Sequence, residues 1–482
     1  GWMSWIGFVD QFKIRIRSSF DGGQTWSAPV DLPHTVAGYS SADPCLAFDV
    51  SGNVYATYID FTGTTPPVTG AVCISRSTDG GSSWGTPTKV IDTNYDGTKW
   101  PIDRPWMIID HSASASQGNI YVTTFPLNRT NPSFRPYLSV STDQGATFST
   151  RYIDSTGYLA GSLNPLPLCS HTVTSNGVWH GAYPSLVFTQ FPQFQTLMAS
   201  SSNAGGGFSY TTVYSNTDTI SLGAFPDAKK AGLLISNPAD PDHLAYVFLR
   251  TRHGDLDIFL SESFDSGQNW NAPLRVNDDP VGNARMQDLL WGDFDVDGDL
   301  VIAWRDRRNG NDSTYQTDSE IWAAFRDKDS TNFAPNFQIS SQLVAFDTIL
   351  ESAGNDFMCI KLQNDTLHAV WGDVRTGFLN IWYQSMATDG TVLHLHPIAS
   401  APVPHLRVSP NPVQEWLRVE GLGIEELILR DLHGKAVARK FLPPETTECM
   451  FSLADRPNGL YFVEARIAGK WVKQKVLKMH QP

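Results

Sequence analysis

The chain has 482 residues and a formal net charge of −14 at pH 7. That length is too great for one small core and predicts two domains or one large repeat array, while the acidic balance argues against nucleic acid as a partner. Aromatic residues make up 12%, with 38 Gly and 30 Pro, a mixture that favours short strands and tight turns over long helices.

An eight-residue turn motif recurs along the chain. The strong copies are Ser19–Trp26, Ser77–Trp84, Ser141–Phe148 and Ser263–Trp270. Weaker copies are Ser201–Phe208 and the segments around Asp327 and Asp389. The seven Asp or Asn positions (21, 79, 143, 203, 265, 327 and 389) are spaced by 58, 64, 60, 62, 62 and 62 residues. Such regular spacing indicates a repeat architecture.

The motif has residues suited to closing a turn. Ser and Asp side chains can accept hydrogen bonds from the N–H groups of their own turn, and Gly adopts a left-handed conformation without steric cost. The final Trp or Phe buries a large apolar surface. We therefore predict a structural clasp, with ligand or metal contact as the alternative. The clasp residues are Ser19, Asp21, Gly23, Trp26, Ser77, Asp79, Gly81, Trp84, Ser141, Asp143, Gly145, Phe148, Ser263, Asp265, Gly267 and Trp270.

The S-x-D-x-G-x-T-W pattern resembles the Asp box, or BNR repeat, of sialidase-like β-propellers. Strand-like segments at 44–48, 54–58, 71–75 and 88–91 surround the second copy, which predicts four strands per unit, or one propeller blade. Seven motif positions predict an all-β propeller of seven blades over residues 1–400, with six blades as the alternative. The first unit starts at its second strand, near residues 3–10, so its innermost strand is unaccounted for.

A second motif follows the second strand of several units. It places Asp306 and Arg308 in one unit, Asp373 and Arg375 in another, and Arg252 in a third. An Asp and an Arg on one loop can bind an anionic sugar through forked hydrogen bonds, but a recurring pair can equally tie adjacent loops together. We favour the tie and keep ligand contact as the alternative.

Charged residues at the starts of innermost strands are further candidates for ligand binding, because these strands line the central face of a propeller. They are Asp103, Arg104, Asp227, Arg285 and Asp356.

The family resemblance implies three arginines that hold a substrate carboxylate, a Tyr–Glu nucleophile pair and an acidic Asp. The Arg-Ile-Pro signature of sialidases should precede the first Asp box, where this chain has residues 12–17, Phe-Lys-Ile-Arg-Ile-Arg, without proline. No catalytic residue can therefore be transferred. We predict a binding or structural propeller, with a divergent exo-sialidase-like glycoside hydrolase as the alternative.

Alternating carboxylates at residues 293–299 resemble a calcium loop. The segment also aligns with an ordinary hairpin turn at residues 48–53, and Trp304 stands where a calcium loop would have its final Glu. We therefore predict a turn and no cofactor, with calcium as the alternative.

The last 82 residues form a separate predicted unit, residues 401–482. They contain 12 Lys and Arg against 9 Asp and Glu, whereas the rest of the chain contains 23 against 40. The Ala-Pro-Val-Pro segment at 401–404 reads as a linker, and motifs follow at 406–412, 457–463 and 473–478.

The order and spacing of these motifs resemble the type A C-terminal sorting domain of type IX secretion substrates, a small β-sandwich. An ordinary sandwich that binds sugar or the propeller is the alternative. The resemblance implies export to the surface of a Bacteroidota-type Gram-negative bacterium, with the secretion and attachment machinery as partner of this unit. A glycan or surface protein is the expected partner of the propeller. No apolar stretch is long enough for a transmembrane helix.

Overall fold

The structure is a computed structural model. It describes residues 1–8, 11–62, 68–95, 102–126, 136–154, 169–186, 192, 194–218, 232–346, 358–396, 406–421, 423–432, 435–443, 446–467 and 470–479. All regular elements in these ranges are β-strands. Within these ranges no helix is long and apolar enough to cross a membrane.

Up to His396 the described strands form seven consecutive antiparallel sheets. The first sheet contains β1 (Trp2–Phe8), β2 (Phe12–Ser18) and β3 (Val30–Asp31). The second contains β4 (Ser40–Phe48), β5 (Val54–Phe61), β6 (Gly70–Ser77) and β7 (Thr88–Asp92). The third contains β8 (Ile102–Ile109), β9 (Ile120–Pro126), β10 (Tyr137–Ser141) and β11 (Ser149–Tyr152).

The remaining four sheets have four strands each. The fourth contains β12 (Ser170–Val173), β13 (Trp179–Leu186), β14 (Phe194–Ser201) and β15 (Ser209–Ser215). The fifth contains β16 (Gly232–Ser236), β17 (Leu244–Arg250), β18 (Asp257–Ser263) and β19 (Leu274–Arg275). The sixth contains β20 (Gln287–Phe294), β21 (Leu300–Asp306), β22 (Glu320–Arg326) and β23 (Phe337–Gln338). The seventh contains β24 (Cys359–Gln363), β25 (Thr366–Asp373), β26 (Asn380–Ala387) and β27 (Val392–His396).

This architecture is an all-β propeller, and the predicted fold class is confirmed. In every four-stranded sheet of the propeller the strands pair in chain order, so each of these sheets is a meander. We keep the name Asp box for the recurring turns that resemble it. In the part of the first sheet that the structure describes, the Asp box at Ser19 follows β2, the strand paired with β1. The other Asp boxes follow third strands, so β1 and β2 correspond to the second and third strands of a blade.

Residues 399–482 form a second compact unit, separate from residues 1–398. One of its sheets contains β28 (Arg407–Ser409), β29 (Trp416–Glu420) and β32 (Glu448–Ser452). The other contains β30 (Ile424–Asp431), β31 (Ala436–Phe441), β33 (Gly459–Ile467) and β34 (Lys470–Lys478). A hydrophobic cluster that includes Leu417, Leu427 and Val463 gives this unit a core of its own.

Hydrophobic clusters join consecutive propeller sheets. Ile14 and Tyr58 belong to the cluster between the first and second sheets, and Leu260 and Ile302 to the one between the fifth and sixth. Because sheets pack on both faces, the second strands are buried along their length instead of alternating, as in β17 and β21. Their continuous apolar composition follows from this double burial.

The Asp boxes close the turn after the third strand through their own side chains. In the first copy the Ser19 hydroxyl accepts a hydrogen bond from Gly23 N at 2.8 Å and donates to Asp21 at 2.9 Å. Asp21 also accepts from the backbone and hydroxyl of Thr25. These hydrogen bonds, chiefly the one from the Thr25 hydroxyl, lower the pKa of Asp21 to about 2. The same pattern recurs at Ser77, Ser141 and Ser263.

The Gly two residues after the Asp of each strong Asp box faces the preceding sheet. A Cβ at Gly267 would stand 2.0 Å from Met198 in β14, and a Cβ at Gly23 would stand 2.3 Å from the ring of Tyr383 in β26. Through this second contact the first Asp box packs on the seventh sheet, which closes the ring.

Tyr383 binds the first Asp box on two sides. Its hydroxyl donates to Gly22 O at 2.7 Å, and its ring lies edge-on to Trp26 with centroids 5.4 Å apart. His368 Nδ1 lies 2.7 Å from the same hydroxyl and completes its hydrogen bonding. We call Tyr383 with Gly22, Gly23 and Trp26 the ring latch.

Replacing Gly23 with Ala should destabilise the propeller more than replacing Gly22 with Ala. Both glycines have positive φ, 88° and 72°, so each variant incurs left-handed strain of about 1–2 kcal/mol. Only the new methyl group at position 23 meets Tyr383, and we expect a further loss of about 1–3 kcal/mol from overpacking. Urea unfolding of the two variants measures the difference. Equal losses would contradict the ring latch.

Candidate functional site

The propeller sheets have two chemically different ends. The start of each innermost strand lies beside the end of the second strand, as in the pairs Ser41–Asp60 and Gln287–Asp306. We call this the upper end. The Asp boxes lie at the opposite end, beside the start of the second strands, which we call the Asp-box end.

Three innermost strands carry a bulge near their upper end. In the second, third and sixth sheets the bulge contains a residue with positive φ: Asp43 (51°), Arg104 (54°) and Leu289 (54°). Non-glycine residues in this conformation are strained and are found preferentially at functional sites. The predicted ligand residue Arg104 therefore lies in one of the strained segments of the upper end.

The residues just after two of these bulges meet across the ring. The indole rings of Trp106 in β8 and Trp291 in β20 have centroids 5.1 Å apart, although they belong to the third and sixth sheets. His171 Nε2 lies 3.0 Å from Trp106 O and ties the fourth sheet to the same point. These contacts bring aromatic side chains of the third and sixth sheets together.

The recurring Asp–Arg motif forms the same arrangement in the sixth and seventh sheets. Asp306 accepts from Trp304 Nε1 at 2.6 Å and from Arg308 Nε at 3.0 Å. The guanidinium of Arg308 lies 4.0 Å from the ring centre of Trp322. Arg308 also donates to Asp278 at 2.7 Å and thereby links the loop after β21 to the segment between the fifth and sixth sheets.

The seventh sheet repeats this geometry with other partners. Asp373 accepts from Trp371 Nε1 at 2.9 Å and from Arg375 Nη2 at 2.6 Å. Arg375 lies 4.2 Å from the ring centre of Trp382 and donates to Ser341. Both predicted Asp–Arg pairs thus tie loops together. The guanidinium groups of both arginines bond to side chains of the protein itself.

Equivalent positions in other sheets also bind the preceding connection. Asp60 accepts from His34 Nδ1 at 2.7 Å and from Thr35 N at 2.6 Å. Arg250 forms a buried ion pair with Asp218, with Nη2 and Oδ1 2.5 Å apart. The loop tie is therefore common to the second, fifth, sixth and seventh sheets.

A buried network lies beside the upper end of the sixth sheet. Asp288 accepts from Arg305 at 2.7 and 2.6 Å, from Arg307 at 3.0 Å and from the Tyr315 hydroxyl at 2.5 Å. Burial opposes ionisation of Asp288, but the two arginines outweigh it and hold the pKa of this carboxyl below its ordinary value. Asp288, Arg305 and Arg307 are all buried.

The other predicted ligand residues lie apart from this network. Arg285 donates to the carbonyl of Asp312, and Arg252 is exposed on the loop after β17. Asp227 and Asp356 lie outside the described residues, as does the side chain of Asp103. The described residues therefore do not bring the predicted ligand residues together in one cluster.

Sequence reasoning missed an acidic cluster at the same end of the fifth sheet. Asp257 and Asp279 accept from Arg275 at 2.8 and 2.9 Å and from Asn277. Asp255 lies beside them, is only 5% exposed, and its Oδ2 has no hydrogen-bond partner among the described residues. The sequence signal was the alternation of Asp255 and Asp257 directly after the loop motif.

Burial, with the charges of Asp257 and Asp279, raises the pKa of Asp255 to about 6. A carboxyl group with such a pKa can hold or release a proton near neutral pH.

The alternating carboxylates at 293–299 are engaged in the protein's own contacts. Asp295 N donates to Asp299 O at 2.8 Å in a turn, and the Asp293 carboxylate accepts from Lys361 and Leu362 N of the seventh sheet. In the ranges that the structure describes, no group of three or more His, Cys, Asp or Glu side chains is arranged to hold a metal.

Comparisons with known proteins give structural similarity at low sequence identity. No protein-family model matches the chain, and no curated protein matches it. A crystal structure of a protein of unknown function from Dyadobacter fermentans is 16% identical, covers 61% of this chain and 80% of its own, and has a TM-score of 0.40. The GH93 α-L-arabinofuranosidase of Fusarium graminearum is 12% identical over 73% of this chain and 96% of its own, with a TM-score of 0.44. The intramolecular trans-sialidase from Ruminococcus gnavus is 12% identical over 80% of this chain and 89% of its own, with a TM-score of 0.38.

Replacing Asp255 with Asn should stabilise the propeller at neutral and alkaline pH. Because the folded pKa of Asp255 is raised from 3.8 to about 6, its ionisation opposes folding increasingly as the pH rises above about 4 and fully above about 6. The variant removes this cost, and we expect a gain of about 1–3 kcal/mol at pH 8 that fades as the pH falls towards 4. Asp257→Asn is the matched control and should lose stability, because Asp257 accepts from Arg275 and Asn277. Chemical unfolding at several pH values measures both. A loss of stability in Asp255→Asn at pH 8 would contradict this account.

Proposed function

We propose that the chain is an exported cell-surface protein in which residues 399–482 act as the secretion and sorting unit. The propeller is the cargo, and its upper end binds a glycan or protein ligand without turning it over. The observation that carries the proposal is the convergence of three sequence motifs on the last strand of the C-terminal unit.

That convergence is visible in the hydrogen bonds of β34. The side chain of Asn411, from the first motif, donates to Lys475 O at 2.9 Å and accepts from Leu477 N at 2.8 Å. The second motif opens β33, which pairs with β34 along its whole length from Gly459. The three segments that resemble a type IX sorting domain thus build one sheet edge. Because the three motifs lie on one sheet edge, the secretion machinery can contact all of them on a single surface.

The compactness of the unit supports a separable role. Its core residues, including Leu406, Phe451 and Val476, come from this unit alone. A unit with its own core can fold without the propeller and can act as a sorting signal when it is joined to other proteins.

The binding role of the propeller is supported by the state of its arginines. Enzymes that hold a substrate carboxylate need arginine forks free to receive it. Here Arg305 and Arg308 bind Asp288 and Asp306, and Arg375 binds Asp373. These pairs favour a rigid scaffold with a fixed upper surface over a substrate clamp.

A fusion of residues 399–482 to a periplasmic reporter tests the export proposal. In a host with type IX secretion we expect the reporter at the cell surface or in the medium. Retention of the fusion in the periplasm would overturn the proposal.

Point variants of the same fusion test the role of β34. Asn411→Ala removes two hydrogen bonds to this strand, worth about 1 kcal/mol each, and we expect reduced export. Arg418→Ala is the control, because this side chain lies outside the three motifs, is 50% exposed and pairs with Glu420 and Glu448, which are not on β34, and it should leave export unchanged. Equal export of both variants would remove the assigned role of the Asn411 contacts.

A divergent glycoside hydrolase is the second candidate. It is favoured by the association of Tyr315 with Asp288 and two arginines, which contains a tyrosine, an acid and basic groups at the upper end. The burial of Asp288 and Arg307 argues against access by a substrate.

A fluorogenic sialoside separates the two candidates. The binding proposal predicts no release of sialic acid by the purified chain. Release that is abolished by Arg104→Ala or Arg285→Ala would establish the hydrolase instead.

A further inference from the structure

One face of the four-stranded sheet in the C-terminal unit is rich in basic side chains. Leu427, Val463 and Val476 of this sheet belong to the core of the unit, so the residues that alternate with them lie on the opposite face. The cations on that face are Arg439 of β31, Arg430 of β30, Arg466 of β33, and Lys473 and Lys475 of β34. We call it the basic face. Its ligand can be inferred independently of the role in export that is proposed for the unit.

The carboxylates of the basic face lie beneath its cations. The side chain of Glu426 is only 3% exposed, whereas that of Arg439, which pairs with it, is 55% exposed. Glu464 is 20% exposed and accepts from Arg430 at 2.6 Å. The side chain of Lys473, 3.4 Å from Glu464, is 53% exposed. Cations are therefore the more exposed charges of this face, although the formal net charge of the whole chain is −14.

Lys475 is the cation of the basic face that is most available to a ligand. It is exposed, and its side chain has no ion-pair or hydrogen-bond partner among the described residues. Arg466, by contrast, pairs at 3.0 Å with Glu425, which lies in a bulge at the margin of the face. Lys473 and Lys475 are two residues apart on one strand and therefore lie about 7 Å apart along β34. An extended anionic polymer can contact both without any movement of the sheet.

Exposed aromatic rings stand at both margins of the basic face. Phe441 is 69% exposed and Trp471 is 51% exposed. They belong to one cross-strand row in which Glu426 and Arg466 stand between them. Three strand spacings separate them, a distance of about 14 Å. Aromatic rings in this position offer flat apolar surfaces on which the apolar faces of sugar rings can pack.

We propose that the basic face binds an acidic polysaccharide, a linear glycan with a carboxylate on each sugar unit. The carboxylates contact Lys473 and Lys475, whose side chains are exposed, and the sugar rings pack on Trp471 and Phe441. A polysaccharide suits this face better than a nucleic acid, because the net charge of −14 repels a polymer with the charge density of DNA. The site is one of recognition, and no covalent step is involved.

Native electrophoresis of the full chain in gels that contain polygalacturonate tests this proposal. We expect retardation that corresponds to a Kd on the order of 0.1 mM and that fades as salt is raised. Dextran, a neutral polysaccharide, should leave the mobility unchanged. Absence of retardation by polygalacturonate, or equal retardation by dextran, would overturn the proposal. Tighter binding of oligothymidylate than of oligogalacturonate in calorimetry would assign the face to nucleic acid and overturn it as well.

Matched variants on the two sheets of the C-terminal unit assign the interaction to the basic face. Lys475→Gln and Trp471→Ala should each weaken binding of polygalacturonate at least about threefold, because each removes one exposed contact. Arg407→Gln and Trp416→Ala are the controls, since these side chains are 73% and 54% exposed on the other sheet, and they should bind as the parent does.

Near-ultraviolet circular dichroism verifies that all four variants keep the native packing. Equal weakening in the control variants and in the variants of the basic face would overturn the proposal, because the polymer would then be held by the general charge of the unit. The measurements use the purified chain, so their outcome is separate from the test of export.

Discussion

The propeller depends on the closure between its seventh and first sheets. The other joins are made by hydrophobic clusters that continue from one sheet to the next, such as the one containing Leu260 and Ile302. At the closure, Tyr383 receives the first Asp box between Gly22 and Trp26. One hydrogen-bonded aromatic side chain, Tyr383, thus joins the seventh sheet to the first. Because Gly23 lies directly on the Tyr383 ring, this closure tolerates little change in side-chain volume.

Charged side chains are paired within the protein at both ends of the sheets. At the upper end, arginines such as Arg308 and Arg375 form ion pairs with neighbouring carboxylates and stack on aromatic rings. These contacts make the loops rigid. At the Asp-box end, Arg326 in β22 likewise pairs with Glu262 in β18, and the Nε of Arg76 is buried without a hydrogen-bond partner.

Much of the fold could be predicted from the sequence, because the Asp box is a local structure. Ser141, Asp143 and Thr147 bond to one another within one turn, so their spacing alone indicates the clasp. The all-β propeller followed from the recurrence of that clasp. The Asp–Arg ties were also foreseeable, since Asp306 and Arg308 are two residues apart and can meet without knowledge of the tertiary structure.

Features that join distant segments could not be predicted in this way. No local sequence pattern around Tyr383 indicates its hydrogen bond to Gly22. The same holds for Arg76, which donates to Gln144 of another sheet. The raised pKa of Asp255 results from burial and from charges on a separate connection, including Asp279. Each of these properties is set by packing between sheets, which one sequence does not reveal.

The closure also has a consequence for the order of events during synthesis. Tyr383 and Gly22 are separated by 361 positions in the chain, so this contact has the sequence separation of a late folding step. A nascent propeller can pair each new blade with the previous one, but its ring stays unsealed until the seventh blade has emerged. The C-terminal unit follows that blade in the chain. Any partner of the C-terminal unit therefore meets a propeller whose last closing residue, Tyr383, has already been synthesised.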